Sequence, residues 1–426
     1  MKIVADENIP FVAECFSSIG EVKTLSGRRI DPGTVKNADI LLVRSITKVD
    51  SKLLAESQVR FVGTATIGLE HVDTEFLSSR NIGFASAPGS NANSVAEYVV
   101  AALLAVGKKH KIQLEGKSIG IVGVGNVGSK VAKKCAALGM KIYLNDPPLQ
   151  RYISHREHRG FLATEDTEGT ERFSKSKERK KEEISIARIK EYLGEVKLLP
   201  IEELFSCDFI TLHTPLTFEG IDKTFHLADE KFFNSLKTGC IFINTARGAV
   251  HDTIALKQAI TSGRLKAAIL DVWENEPNID VELLRMVDLS TPHISGYSLD
   301  GKIAGMIMIY KAVCGHFGLE PKYDVADFLP EPQVPQIHID PQSDTEQNLL
   351  HQAVQQVYVI NRDDFNTREI AMVPVKKRGR FFDDLRKNYP VRREFQNTRI
   401  VLADSVQRIA NSQRISEKLG GIGFKI

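Results

Sequence analysis

The chain has 426 residues and a formal net charge of +2, with 42% hydrophobic and 26% charged residues. This length exceeds what one hydrophobic core usually serves, so we expect two or three domains of an ordinary globular protein. The small net charge gives no reason to propose a nucleic-acid or membrane partner.

The start of the chain does not resemble a secretory signal, because Asp6 and Glu7 interrupt it before an apolar core can form. The longest apolar stretch, "YVVAALLAV", is much shorter than the roughly 20 residues that span a membrane. The five cysteines are scattered and odd in number, which favours reduced thiols over a disulfide framework. We therefore expect a soluble, cytoplasmic protein without a metal site.

The first part of the chain alternates short apolar strands with helical patterns. Its strand candidates include "KIVAD", "ADILLVRS" and "VRFVGTAT". This alternation predicts a parallel sheet with crossover helices. The segment "NSVAEYVVAALLAVGKK" then predicts one long helix, with Asn93 or Ser94 as its N-cap.

A dinucleotide motif opens the second run of strands and helices. Gly123, Gly125 and Gly128 have the spacing G-x-G-x-x-G directly after an apolar strand, and a helical pattern follows. The first glycine permits a tight turn, the second lets a pyrophosphate approach the backbone, and the third allows close helix packing. Asp146 ends the next strand, where a carboxylate would bind the ribose hydroxyls and favour NAD over NADP. The alternative is a glycine-rich turn without a ligand.

Residues 151 to about 197 interrupt this pattern. They are rich in both charge signs and poor in large apolar residues, which predicts a solvated insertion. The stretch "ISIARIKEYL" could form one amphipathic helix within it. The alternative is an arm that binds a partner.

Three side chains with catalytic potential follow later strands of this second run, namely Arg247, Glu276 and His293. The carboxyl ends of parallel strands share one edge, so the three can converge there. Arginine can bind a carboxylate with two hydrogen bonds, and a histidine can take a hydroxyl proton as hydride leaves the same carbon. Each residue alone is more often structural, as an ion pair, a loop carboxylate or a turn histidine. Behind a dinucleotide motif, we expect them to act together.

The last part of the chain begins after another predicted helix, "YSLDGKIAGMIMIYKAVCGHFG". The proline-bearing stretch "LPEPQVPQ" marks a linker. Residues 337–426 carry their own strand and helix candidates, which predicts a separate small α+β module.

The chain resembles the D-isomer-specific 2-hydroxyacid dehydrogenase family. The resemblance rests on "VRSITKV", "FVGTATIGLEHVD", "GIVGVGNVGSKV", "HTPLTFEG", "ARGAV", "LDVWENEP" and "TPHISGYSLDGK". It implies that Arg247 and Glu276 are active-site residues and that His293 is the proton donor and acceptor. It further implies a substrate-contacting set of Ser45, Thr66 and Tyr297, and a cofactor-contacting set of Asp146, Thr214, Asp271 and Gly296.

The resemblance also implies an architecture of two Rossmann-like, doubly wound parallel-sheet domains and a C-terminal module that forms a homodimer. Residues 1–94, completed by 295–330, would form the substrate-binding domain. Residues 95–294 would form the NAD-binding domain, and residues 337–426 the dimerisation domain. Closure of the cleft between the two larger domains would exclude water from the reaction.

The implied activity is the NAD-dependent oxidation of a phosphorylated 2-hydroxy acid at its 2-hydroxyl. Two alternatives remain open: an enzyme for another acid, such as 3-phosphoglycerate or glycerate/hydroxypyruvate, and an NAD-sensing regulatory protein. The substrate phosphate needs a cationic partner, for which Arg44 is one candidate. We hypothesise that Arg392 or Arg393 binds it, although a solvated basic face would explain these arginines equally well.

Overall fold

The computed structural model describes residues 1–159, 187, 190–191, 197–403 and 409–426. The chain forms two compact units, Met1–Asn93 with Tyr297–Pro332 and Ser94–Gly296 with Gln333–Ile426. In these described stretches, none of the helices is long and apolar enough to cross a membrane. Most of the predicted insertion, including seven of the ten residues of "ISIARIKEYL", lies outside the described residues. Its first residues belong to a helix, Pro147–Arg159, that the sequence pattern did not predict.

The first unit contains a five-stranded parallel sheet. Its strands are β1 (Lys2–Asp6), β2 (Glu21–Leu25), β3 (Ile40–Val43), β4 (Phe61–Thr64) and β5 (Gly83–Ser86). Their order is β2-β1-β3-β4-β5. The helices are Val12–Phe16, Pro32–Val35, Ser51–Leu54, Thr74–Ser79 and Leu299–Phe317. Asp31, Asp50 and Asp73 cap three of them by accepting a hydrogen bond from a first-turn amide.

The second unit contains a six-stranded parallel sheet. Its strands are β6 (Ser118–Val122), β7 (Lys141–Asn145), β8 (Phe209–Leu212), β9 (Cys240–Asn244), β10 (Leu265–Leu270) and β11 (Leu289–Ser290). Their order is β11-β10-β9-β8-β6-β7. The chain leaves β6 on one side and returns as β8 on the other. The carboxyl ends of β6 and β8 therefore form the switch point where open α/β sheets bind ligands.

The helices of this sheet are Ala92–His110, Asn126–Ala137, Pro147–Arg159, Ile201–Leu204, Glu230–Ser235, Thr253–Thr261 and Val281–Met286. The first begins at Ala92, which makes Asn91 its N-cap, so the predicted N-cap at Asn93 or Ser94 was wrong by two or three residues. The Ser94 hydroxyl instead donates to Oε1 of Glu394 at 2.8 Å, a partner 300 residues away.

The C-terminal segment, residues 333–426, lies in the second unit. Its strands β12 (Gln336–Ile339) and β13 (Arg399–Leu402) form a parallel pair, with helices Glu346–Val357, Ile360–Arg368, Val375–Lys387 and Ile409–Ile422. Ile337 and Leu350 of this segment share a core with Leu103 and with Ile119 of β6. The predicted fold class, two parallel-sheet domains with a small α+β module, is confirmed.

Candidate active site

The glycine turn after β6 leaves its backbone open at one position. Gly123 has φ +87°, and a Cβ there would lie 2.8 Å from the carbonyl oxygen of His213. A Cβ on Gly128 would lie 1.9 Å from the carbonyl oxygen of Gly123. A Cβ on Gly125, the N-cap of helix Asn126–Ala137, would meet nothing within 4 Å. The turn therefore offers uncapped helix amides to an anion such as a pyrophosphate.

Two further side chains of the predicted cofactor set lie at this switch point. Asp146 accepts hydrogen bonds from the amides of Val124 at 2.8 Å and Leu149 at 3.0 Å, so it also holds the glycine turn. Oγ1 of Thr214 is buried and has no hydrogen-bond partner among the described residues. Because a buried hydroxyl normally has a partner, this orphan fits a site shaped for a polar ligand. Burial lowers the pKa of the neighbouring His213 to about 3, so that ring is neutral.

Glu276 and His293 form a hydrogen-bonded pair. Nδ1 of His293 lies 2.7 Å from Oε2 of Glu276, and Oε1 accepts from the amide of Trp273 at 2.8 Å. Burial alone would raise the pKa of Glu276, but the charge and hydrogen bond of His293 and the Trp273 amide hold it below its ordinary value. The ionised carboxylate thus keeps a proton on Nδ1. Nε2 has no hydrogen-bond partner in the described part of the chain, which leaves it able to accept a proton.

Asp271 organises the histidine loop, residues 290–295. Its Oδ1 accepts from the Ile294 amide at 2.7 Å and the Thr291 hydroxyl at 2.6 Å, and its Oδ2 from the Ser295 amide at 3.0 Å. Asp271 is fully buried, and its carbonyl accepts from the amide of His293, which has φ +58°. The sequence suggested a cofactor contact for Asp271 and gave no sign of this role.

Arg247 follows β9, the neighbour of β10 in the sheet. It is half-buried, and its Nη1 donates to the carbonyl of Ala246 at 2.9 Å. A Cβ on Gly248 would lie 1.9 Å from the carbonyl oxygen of Trp273, so this turn lies directly against the one that carries Glu276. The structure thus pairs Glu276 with His293 and places Arg247 on the adjacent turn.

A second histidine–glutamate pair, which the sequence analysis did not identify, lies nearby. Nε2 of His226 is 2.8 Å from Oε1 of Glu274, and Nδ1 is 3.4 Å from Oδ2 of Asp252. The imidazole also stacks on the ring of Phe225 at 4.0 Å between centroids. Each ring nitrogen therefore faces a carboxylate oxygen, which marks this histidine as structural.

The predicted substrate contacts belong to the first unit. Ser45 is exposed just after β3, and Thr66 follows the neighbouring strand β4, with its hydroxyl 2.8 Å from that of Thr64. Tyr297 begins Tyr297–Pro332, the second stretch of the chain that belongs to the first unit, and Nζ of Lys302 lies 4.5 Å from its ring centroid. Gly296, assigned to the cofactor set, is the last residue of Ser94–Gly296 in the second unit.

The arginines proposed to bind the substrate phosphate lie inside the second unit. Arg392 is 5% exposed and Arg393 is 7% exposed. Arg392 donates through Nη2 to the carbonyl of Ser295 at 2.9 Å, and Arg393 donates to Oδ1 of Asn397 at 2.8 Å. Burial rules out the solvated basic face for these two residues and disfavours their contact with a substrate phosphate, although no contact in the structure tests that hypothesis directly. Arg44, half-buried after β3, stays a candidate.

Comparison with protein families gives two matches. Residues 95–168 and 176–295 match the NAD-binding domain of the D-isomer-specific 2-hydroxyacid dehydrogenases. Residues 328–415 match a domain of unknown function.

Similar proteins match along almost the whole chain. The erythronate-4-phosphate dehydrogenase of Hahella chejuensis is 39% identical over 402 residues, 94% of each chain. That of Proteus mirabilis is 38% identical over 425 residues, covering 100% of this chain and 99% of its own. Among solved structures, a D-lactate dehydrogenase from Aquifex aeolicus, complexed with NAD and lactic acid, aligns with a TM-score of 0.55 at 22% identity. That alignment covers 75% of this chain and 96% of the other, and it supports the fold.

Proposed function

The chain belongs to the D-isomer-specific 2-hydroxyacid dehydrogenases, among the erythronate-4-phosphate dehydrogenases, and we propose that it oxidises 4-phospho-D-erythronate with NAD. The product would be 2-oxo-3-hydroxy-4-phosphobutanoate, in the biosynthesis of pyridoxal 5′-phosphate. The observation that carries the chemistry is the Glu276–His293 pair, with Nδ1 held at 2.7 Å and Nε2 left to accept a proton. The substrate follows from the similarity to relatives of that name over nearly the whole chain.

When bound at this site, NAD would supply the acceptor for the hydride that leaves C2 of the substrate. The groups that would hold it are the glycine turn, Asp146 and Thr214. The open N-cap at Gly125 fits an anionic ligand, and the Thr214 hydroxyl, which has no partner among the described residues, fits a polar one. The further assignment of Asp271 and Gly296 to the cofactor belongs to the same proposal.

The protein's own groups handle the proton and the carboxylate. As the C2–H bond breaks and the carbonyl forms, the 2-hydroxyl proton moves to Nε2 of His293, a transfer that contributes about 10²- to 10⁴-fold. Glu276 keeps Nδ1–H oriented and stabilises the imidazolium by its charge. Arg247 binds the substrate carboxylate through its planar fork. Ser45, Thr66 and Tyr297 complete the substrate contacts in this proposal.

Two finer features are proposed alongside the reaction. The C-terminal segment exposes Phe365, Met372 and Val375 at 65%, 85% and 71%, which supports a homodimer formed through it. Light scattering of wild-type protein and of a Met372→Glu/Val375→Glu variant tests this dimer.

All five cysteines are free and buried, which supports a cytoplasmic location.

The decisive experiment is NADH formation by the purified protein, with 4-phospho-D-erythronate, 3-phospho-D-glycerate and D-glycerate compared at equal concentrations. We expect a clear preference for the erythronate ester, lost in a His293→Asn variant and kept in a His226→Asn control. Preference for another acid would retain the mechanism and reject the substrate. NAD binding without turnover of any acid would favour the sensor alternative.

A further inference from the structure

The C-terminal segment contacts both ends of the histidine loop. Oδ1 of Asp364 accepts from the amide and the hydroxyl of Ser290, each at 2.7 Å. Nη2 of Arg392 donates to the carbonyl of Ser295 at 2.9 Å. His293 lies between these two anchor points, so its loop is held by the C-terminal segment as well as by Asp271 at the carboxyl end of β10.

Arg392 is itself firmly placed. Its side chain is almost fully buried, and the guanidinium carbon lies 4.2 Å from the ring centroid of Tyr358. Among the described residues its one hydrogen bond goes to Ser295, since Nε and Nη1 have no partner there. The guanidinium of Arg392 is permanently charged and buried, and among the described residues it donates only to the histidine loop. It is therefore suited to fixing the position of the Ser295 carbonyl.

Asp364 is placed by a second arginine of the same segment. Nε of Arg368 donates to Oδ2 of Asp364 at 2.9 Å, and its Nη1 and Nη2 donate to the carbonyls of Leu284 and Val287, each at 2.9 Å. Arg368 and Asp364 together therefore bind three points along the chain that leads into and through β11. These contacts fix where the histidine loop begins.

We propose that Arg392 and Asp364 are positioning residues for proton transfer: they hold the histidine loop so that His293 keeps its geometry relative to Glu276. The C-terminal segment thereby contributes to turnover beyond any part in assembly. This inference rests on the proposed role of His293. A shift of about 1 Å in a catalytic group can cost on the order of 10²-fold in rate, so a modest loosening of the loop is measurable.

The test compares Arg392→Met, which keeps the apolar stem and removes the donors, with Arg392→Lys, which restores one charged donor. Ser94→Ala is the matched control, because it removes another buried hydrogen bond to the C-terminal segment, the 2.8 Å contact with Glu394, in which no residue of the histidine loop takes part. The readouts are kcat, substrate KM, the NADH dissociation constant by fluorescence, and the solvent deuterium isotope effect on kcat.

For Arg392→Met we expect kcat to fall about 10- to 100-fold, as for a small misplacement of a catalytic group. KM and NADH affinity should stay close to wild type. The solvent isotope effect should rise because proton transfer becomes more rate-limiting, and Arg392→Lys should recover a large part of kcat. Ser94→Ala should keep the wild-type kcat and isotope effect.

The inference would be overturned if Arg392→Met lowered kcat while also raising KM and weakening NADH binding to a similar extent. An equal loss of kcat in Ser94→Ala would also overturn it. If Arg392→Met does not fold, Asp364→Ala takes its place, and an unchanged kcat in that variant would equally overturn it. Wild-type protein that oxidises no 2-hydroxy acid would defeat the proposed function instead, before any variant is compared.

Discussion

Two histidines of the second unit have nearly the same local setting and different chemical prospects. His293 and His226 both have left-handed backbones, with φ +58° and +50°. Each lies within 2.8 Å of a glutamate from the same short turn, Glu276 at 2.7 Å and Glu274 at 2.8 Å. Their side chains are 32% and 30% exposed. A carboxylate partner and partial exposure therefore do not distinguish a base from a structural histidine.

The second ring nitrogen makes the difference. Asp252 lies 3.4 Å from Nδ1 of His226, and the ring is stacked on Phe225. Nε2 of His293 has no such partner in the described residues. A general base needs one oriented nitrogen and one available nitrogen, and only His293 of this pair has both.

The largest expected effect comes from removing each imidazole in turn. Asparagine suits both positions because it tolerates a left-handed backbone better than most residues. His293→Asn should lower kcat by about 10²- to 10⁴-fold through loss of the proton acceptor. His226→Asn should leave kcat essentially unchanged. Steady-state NADH formation measures both, and similar losses in the two variants would abolish the distinction.

The next largest effect should distinguish the two glutamates, Glu276 and Glu274, by what their substitution does to kcat. Glu276→Gln replaces a charge-assisted hydrogen bond by a neutral one, a loss of about 1–2 kcal/mol that corresponds to about 10-fold in kcat. Glu274→Gln should spare kcat and lower the free energy of unfolding, because Glu274 also accepts from the amide of Thr253 at 2.8 Å. Kinetics and urea unfolding of both variants test this. A kinetic defect in Glu274→Gln would give the second pair a part in catalysis.

The stacked ring offers a smaller test. Phe225→Leu removes the 4.0 Å stacking contact with His226 and should cost about 0.5–1.5 kcal/mol of unfolding free energy beyond the lost area. Turnover should not change. Urea unfolding with parallel kinetics measures the effect, and a loss of kcat without a loss of stability would contradict a purely structural role.

The smallest effect concerns pH. Burial would raise the pKa of Glu274, but hydrogen bonds from Thr253 and His226 hold it below its ordinary value of 4.5. A lowered carboxyl pKa stabilises the fold above 4.5, and this contribution is lost as pH falls below it. Glu274→Gln should therefore weaken the acid dependence of stability in that range, by about 1 kcal/mol or less. Unfolding free energies measured across this range test it; identical slopes would reject it.

Much of the site could be predicted from short stretches of sequence. The spacing of Gly123, Gly125 and Gly128 indicated a dinucleotide turn because its requirements are local: a positive φ, an open N-cap and a close helix contact. Alternating strands and helices predicted parallel sheets, and the strand ends predicted one edge for Arg247, Glu276 and His293. Each of these inferences depends on neighbours only a few residues apart.

The tertiary structure alone decided which groups hold the site. Tyr98 lies 2.8 Å from the hydroxyl of Thr291 across 193 residues, and Arg392 reaches Ser295 across 97. Such partners have no sequence spacing to reveal them, because they meet only when helices and strands pack. For the same reason, the sequence predicted that Arg392 and Arg393 either bind the substrate phosphate or form a solvated basic face, and it did not reveal that the fold buries both. The sequence by itself determined the cofactor turn and the candidate base, and packing decided which histidine keeps a nitrogen free and what holds its loop in place.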